Sequence, residues 1–293
     1  MEHKFLLSTD TSCDYMRSTL RKDGIPYIPL TFTMNGETFF DEFDSDEEFR
    51  EFYRKIRAGA LPTTSQINPE EHIAYFSELL SGGVKSMVHI TLSSGLSATY
   101  DAAVMAAGEV LKNYPGAEIF VVDSGGATGV HGYMLDKAQK MRDEGFDAKT
   151  VADRLNAMRN NVQVWVVADN LMHLRRGGRI SGAAAVFGTM LNIKPIFIFN
   201  KMGGLTVVHK AKGIKKALMY LLEKLKDLSY DYKNVEIWIA TADADDTLAD
   251  MLKILRGAGC KGKITTTWVG PIIGSHTGPG TLGIIFEGKE RVL

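Results

Sequence analysis

Ser86–Tyr100, SMVHITLSSGLSATY, is the stretch that decides the fold. Its apolar run to Leu92 has the length of one buried strand. Two serines and a glycine then break the run. Beyond them Leu96, Tyr100, Ala103, Val104, Ala107, Val110 and Leu111 recur on one helical face. Strand, small polar turn, helix is the repeating unit of a parallel sheet. The unit recurs on both sides. Lys4–Ser8 (KFLLS) leads into STDTSCD, and Ile119–Asp123 (IFVVD) leads into SGGATG and a helix. Ligands of such sheets bind outside the carboxyl ends of the strands. Ser8–Asp10, Ser93–Ser97 and Asp123–Gly126 fall there.

Around these units, Pro26–Thr33 is expected as a strand with edge-like prolines, followed by an Asn35-Gly36 turn. Helices are expected over Ser45–Arg57, Pro69–Leu80 and Ala148–Asn160. A boundary near Asn161 closes an N-terminal α/β domain, residues 1–160, with a Rossmann-like parallel sheet. Residues 161–293 form a second α/β domain. Its strands are Gln163–Ala168, Leu191–Phe199, Leu205–Lys210, Val235–Thr241, Ile264–Val269 and Leu282–Glu287, with helices Gly213–Leu228 and Thr247–Leu255. The turn at residues 200–204 makes a hairpin, so this sheet is mixed or antiparallel.

Composition narrows the function. Apolar residues make up 45% of the chain and charged residues 24%, as in soluble globular proteins. The net charge of −1 gives no support for nucleic-acid or anionic-membrane binding. It hides an asymmetry: residues 1–160 carry −8 and residues 161–293 carry +7. Two mutually attracting domains, a basic face for an acidic partner, or solvated surface charge would each produce this. No apolar run approaches the ~18 residues of a membrane span. The first ten residues hold too short an apolar run for a signal peptide, which makes a reducing cytoplasm the expected compartment. Cys13 and Cys260 form no disulfide framework, and no cluster has metal-ligand spacing.

Three small-residue motifs carry the candidate chemistry. In SSGLS, Ser93 or Ser94 can cap the helix that follows; two serines with Gly95 also let a ligand oxygen approach unpaired backbone N–H groups. In TTSQ (Thr63–Gln66), the hydroxyls of Thr63, Thr64 and Ser65 either cap the next helix or face a ligand. His276 stands in GPIIGSHTGPG, a glycine-rich loop, where its imidazole either faces solvent or donates to an oxyanion. RRGGRIS adds Arg175, Arg176 and Arg179 around two glycines, with Ser181 as a possible helix cap; the guanidiniums suit phosphate or carboxylate, or simply make a basic loop. His89 sits inside a buried strand and is read as packing. Ser93, Ser94, His276, Asp10 and Asp123 supply the residue types of a Ser-His-Asp hydrolase, so an esterase or phosphohydrolase is the alternative. There is no GxSxG elbow, no GxxxxGK[ST] and no GxGxxG.

In order along the chain, LLSTDTSCD, PLTF, TTSQ, ITLSSGLSATY, FVVDS, LMHLRRGGRIS, MLNIKPIF and GSHTGPG resemble the DegV family of bacterial lipid-binding proteins. Ile67 stands where the family often has proline after TTSQ, and SATY replaces a commoner SGTY. The resemblance implies a two-domain α/β protein holding one long-chain fatty acid between its domains. It places the carboxylate at Thr63 or Thr64, Ser93 or Ser94 with Gly95, and His276. It implies no cofactor, no metal and no catalytic residue. Some members act as the fatty acid-binding subunit of a bacterial fatty acid kinase, presenting the carboxylate to an ATP-dependent subunit for phospholipid synthesis. Arg175, Arg176 and Arg179 match the basic segment near the headgroup, where a kinase or its phosphate would meet them.

Overall fold

The computed structural model describes residues 4–169, 171–180 and 192–291. In chain order the front half comprises β1 (Leu6–Asp10), α1 (Arg17–Lys22), β2 (Tyr27–Ile28), β3 (Thr31–Met34), β4 (Glu37–Phe40), α2 (Asp46–Arg57), β5 (Thr63–Ser65), α3 (Pro69–Ser81), β6 (Ser86–Thr91), α4 (Thr99–Val110), β7 (Glu118–Asp123), α5 (Gly129–Asp143) and α6 (Ala148–Met158). The back half comprises β8 (Val162–Val167), α7 (Met172–Arg176), β9 (Ile193–Phe199), β10 (Leu205–Lys212), α8 (Ile214–Leu228), β11 (Ile237–Ala242), α9 (Asp245–Gly257), β12 (Ile264–Trp268), α10 (Pro271–Thr277) and β13 (Thr281–Glu287).

The βα units of the front half build a four-stranded sheet in the order β2-β1-β6-β7. Every pairing in it is parallel. Strand β6 is central and buried, so MVHIT carries no alternation of polar and apolar residues. The back half builds a six-stranded mixed sheet in the order β10-β9-β8-β13-β11-β12. Its ladders are antiparallel except that of β11 with β12. Both sheets agree with the fold class read from the sequence.

Local chemistry sets the helix starts. Asn68 and Glu71 form a reciprocal capping box on α3, with Pro69 at its first position. Ser45 caps α2, which buries Phe49, Phe52, Tyr53 and Ile56. One sequence expectation changes here. Pro26–Thr33 is two strands: Tyr27–Ile28 completes the parallel sheet, and Thr31–Met34 enters a small antiparallel sheet, β4-β3-β5. Its hairpin turns on Asn35 and Gly36, whose φ of 54° and 86° suit a two-residue turn with both residues left-handed. The cap expected of Ser181 and the strand start expected at Leu191 lie outside the described residues.

The six-stranded sheet has two different faces. Trp165, Val167, Ile196, Ile198, Ile237, Ile239, Leu282, Ile284 and Phe286 pack against α8 and α9 in one closed core. The alternate residues Val164, Val166, Phe197, Phe199, Ala240 and Ile285 belong to a second core shared with the front half. Helix α5 closes part of this side: a Cβ at Gly129 would lie 2.8 Å from Ile285 Cδ1. Among the described residues no helix is long and apolar enough to cross a membrane.

Candidate functional site

A cavity lies between this second face of the sheet and the front half. It encloses about 840 Å³ of space between atoms, its open mouth included. Val164, Val166, Phe197, Phe199, Leu205 and Ile285 form the sheet wall. Leu30, Leu92, Leu96 and Ala127 come from the front half, and Val269, Ile272 and Ile273 from the approach to α10 and the helix itself. Period-two alternation explains the wall: Val164 and Val166 of β8 and Phe197 and Phe199 of β9 point the same way, and β13 adds Ile285 with Thr281 and Gly283.

Thr64, Arg179 and His276 supply polar atoms to this apolar lining. His276 Nε2 lies 2.8 Å from Thr64 Oγ1. Its Nδ1 is buried without a hydrogen-bond partner among the described residues. Burial, then the guanidiniums of Arg179 and Arg176, push the His276 pKa down to about 4. The ring is therefore neutral at pH 7 and carries one proton, on one nitrogen or the other. Gly177 packs against it so closely that a Cβ there would sit 2.1 Å from Nδ1. Arg179 donates from Nε to Leu96 O at 3.2 Å and from Nη1 to Gly177 O at 2.6 Å. It thus joins the SSGLS turn to Gly177 and forms no ion pair among the described residues. A hydroxyl, an imidazole and a guanidinium share this apolar lining, with no carboxylate among the groups that shift His276. That set suits the polar end of an amphipathic anion.

His276 is not in a loop. It stands in the last turn of α10, which Pro271 starts and Gly278 ends with φ of 71°. The glycines that suggest a loop are there for packing. A Cβ at Gly270 would lie 2.2 Å from Asp14 Oδ1, and one at Gly274 would lie 2.5 Å from the Tyr53 hydroxyl oxygen. TTSQ is not a helix cap either. Thr63–Ser65 is strand β5, paired with β3, while Asn68 does the capping. Strand pairing turns Thr64 toward His276 and leaves Thr63 exposed, outside the cavity lining.

The first two serines of SSGLS face elsewhere. Ser93 Oγ donates to Gly203 O at 2.9 Å and accepts from Gly95 N at 3.1 Å. Ser94 Oγ donates to Asp123 Oδ2 at 2.6 Å, beside Arg159 on the same oxygen. Neither caps α4, which starts six residues after Ser93. Gly95 admits the β9–β10 turn: a Cβ there would lie 2.4 Å from the Gly203 carbonyl carbon. Ser93, Ser94 and Gly95 are absent from the cavity lining, whereas Leu96 and Ser97 are on it. Arg175 and Arg176 are exposed on α7, where Arg176 Nη2 donates to His173 Nδ1 at 3.1 Å. Thr128 on the lining escaped the sequence reading; nothing in a lone threonine after SGGA distinguishes it. His89 is the packing residue expected, bonded through Nδ1 to Ser8 Oγ at 2.9 Å.

The residues named for a hydrolase do not assemble. His276 meets a threonine, not Ser93 or Ser94. Asp10 is fully buried and accepts from Ser12 and Leu92, and Asp123 accepts from Ser94, Gly125 and Arg159. Among the described residues no group of three or more His, Cys, Asp or Glu can hold a metal ion.

Sheet order, cavity and donor set define an α/β protein with an apolar space that carries neutral and cationic donors on its lining. The family model of DegV, described as uncharacterised proteins, matches residues 4–289. A DegV domain-containing protein of Clostridium perfringens is 33% identical over 288 residues, spanning 98% of this chain and 99% of its own. The chain belongs to the DegV family. It is similar to a Thermus thermophilus DegV family protein whose structure is described as one of fatty acid binding: TM-score 0.85, 29% identity, covering 97% of this chain and 99% of that one. It shares its fold with the Streptococcus pneumoniae fatty acid kinase B3 protein loaded with linoleic acid, at TM-score 0.82 and 19% identity over 98% and 100% of the two chains.

Proposed function

We propose that this protein binds one long-chain fatty acid, its acyl chain against the sheet wall and its carboxylate at Thr64, His276 and Arg179. The observation that carries this reading is the apolar cavity between the second sheet face and the front half, with those three groups on its lining. Burial of methylenes contributes roughly 0.8 kcal/mol each, so a chain of about sixteen carbons supplies more than 10 kcal/mol gross. Association costs then reduce this figure. Ser93 and Ser94 reach the carboxylate only if their bonds to Gly203 and Asp123 exchange, which makes them secondary candidates. The boundary near residue 161 separates the strands of the sheets and makes the site an interdomain one.

The bound carboxylate is presented to an ATP-dependent kinase subunit in the cytoplasm, and the protein itself catalyses nothing. A carboxylate held by donors and left ionised stays nucleophilic toward a phosphoryl group. The exposed Arg175 and Arg176, on a half that carries +7, steer the partner's approach. Mass spectrometry of lipid extracted from the denatured protein is expected to find one fatty acid per chain. An empty protein that turns over ester substrates supports the hydrolase instead. Charge reversal at Arg175 and Arg176 is expected to slow association with a kinase and flatten its salt dependence without changing lipid content. Unchanged rates and salt slopes remove the docking role.

A further inference from the structure

The positive charge of the back half is concentrated far from RRGGRIS in the sequence. Residues 205–228, strand β10 and helix α8, hold six lysines against Glu223 and Asp227. A groove runs between these two elements, lined by His209, Lys210, Lys212, Lys215, Lys216 and Met219 among others. Successive residues 209–212 of β10 all line it. Side chains alternate between the faces of a strand, so a groove touching consecutive residues follows the strand's free edge. β10 is indeed the end of the sheet order and pairs only with β9 among the described strands.

Glu223 also lines the groove and pairs with Lys224. Lys212, Lys215 and Lys216 are exposed and take part in no ion pair among the described residues. Helix α8 has no acidic residue in its first turn and no side-chain cap. Lysines at that end oppose the helix dipole, which favours negative charge there. Lysines on an edge strand commonly serve to repel other strands. That role needs charge on the edge alone; it does not account for Lys215 and Lys216 on the helix across the groove, nor for Met219, 48% exposed. His209 stacks on Tyr220 at 4.0 Å and 7°, giving the groove a flat wall.

We propose that this groove docks an extended acidic segment of a partner protein. The segment adds to the free edge of β10 through main-chain hydrogen bonds, with its carboxylates on Lys212, Lys215 and Lys216. Strand addition to an exposed edge gives affinity, and the flanking side chains give selectivity. The concave shape favours a chain over a planar bilayer. This inference does not depend on the fatty acid reading, because the groove and the cavity share no lining residue.

The test uses the full chain and a fluorescent decapeptide of alternating glutamate and valine. Fluorescence polarisation is expected to show saturable, salt-sensitive binding. The triple variant Lys212→Glu, Lys215→Glu, Lys216→Glu is expected to weaken it about tenfold or more, since surface charge pairs add modestly each. The same peptide N-methylated at every residue keeps its charge but has no N–H to donate on either edge, and is expected to lose binding. An unchanged melting temperature in the triple variant shows that the fold survives. Equal binding of the methylated peptide, or no effect of the triple variant, overturns the proposal. Tighter binding of phosphatidylglycerol vesicles or of a single-stranded oligonucleotide than of the peptide also overturns it.

Discussion

The two faces of the six-stranded sheet come from the same strands and the same alternating pattern, yet they do different things. On one face Ile284, Phe286 and Leu282 meet Leu218, Leu221 and Leu225 of α8 in a closed core. On the other, Val164, Val166, Phe197 and Ile285 face a space that the front half leaves unfilled. Alternation marks which residues share a face; what sits opposite decides whether they are packed or line a site. A closed core is filled by side chains of its own chain. An apolar cavity keeps its dispersion partners only when a ligand enters.

The largest contrast is expected in stability. Phe286→Ala, on the closed face, is expected to cost about 3–5 kcal/mol in denaturant unfolding of lipid-free protein. Phe197→Ala, on the cavity face, is expected to cost about half of that, because part of its surroundings is already empty. Equal costs would mean that the two faces are packed alike.

A second substitution sharpens the contrast by filling the cavity. Val164→Phe extends into existing space, so its stability cost is expected to stay below about 1.5 kcal/mol. Fatty acid binding is expected to shift to shorter chains, read by competition among acids of graded length. A large loss of stability with unchanged chain preference would place the tail elsewhere.

The smallest effect concerns proton uptake. Without ligand, burial and two guanidiniums hold the His276 pKa at about 4, below the ordinary histidine value. The neutral ring favours the fold above pH ~6.5, and this contribution is lost as pH falls toward the folded pKa. A carboxylate beside the ring offsets the guanidiniums and raises that pKa again. Binding is therefore expected to take up protons between about pH 4 and 6.5 and none at about pH 8. Calorimetry in buffers of different ionisation enthalpy measures this. Persistence of the uptake in His276→Gln would assign it to another group.

Much of this was legible in the sequence, for identifiable reasons. The parallel sheet was readable because the βα unit leaves a local signature: apolar run, small turn, helical stripe. The hairpin at 200–204 and the strands after it carry equally local patterns. The His276 helix was not readable. Gly270 and Gly274 suggest a flexible loop, but each is glycine because Asp14 or Tyr53, more than two hundred residues away, occupies the space of a side chain. Thr63 and Thr64 read together as a turn or cap in the sequence, since pairing of β5 with β3 is a tertiary event. Ser93 drew attention for its turn, yet its proton goes to Gly203, a partner 110 residues on. Sequence pattern reports which groups are available; long-range packing decides which of them share a site.

Methyl NMR of delipidated protein titrated with hexadecanoic acid tests the central claim most directly. The account predicts stoichiometric shifts of the Val164, Val166 and Ile285 methyls, with those of Val167, Ile284 and Leu221 staying in place. Shifts on the closed face, or none on the cavity face at saturation, would contradict it.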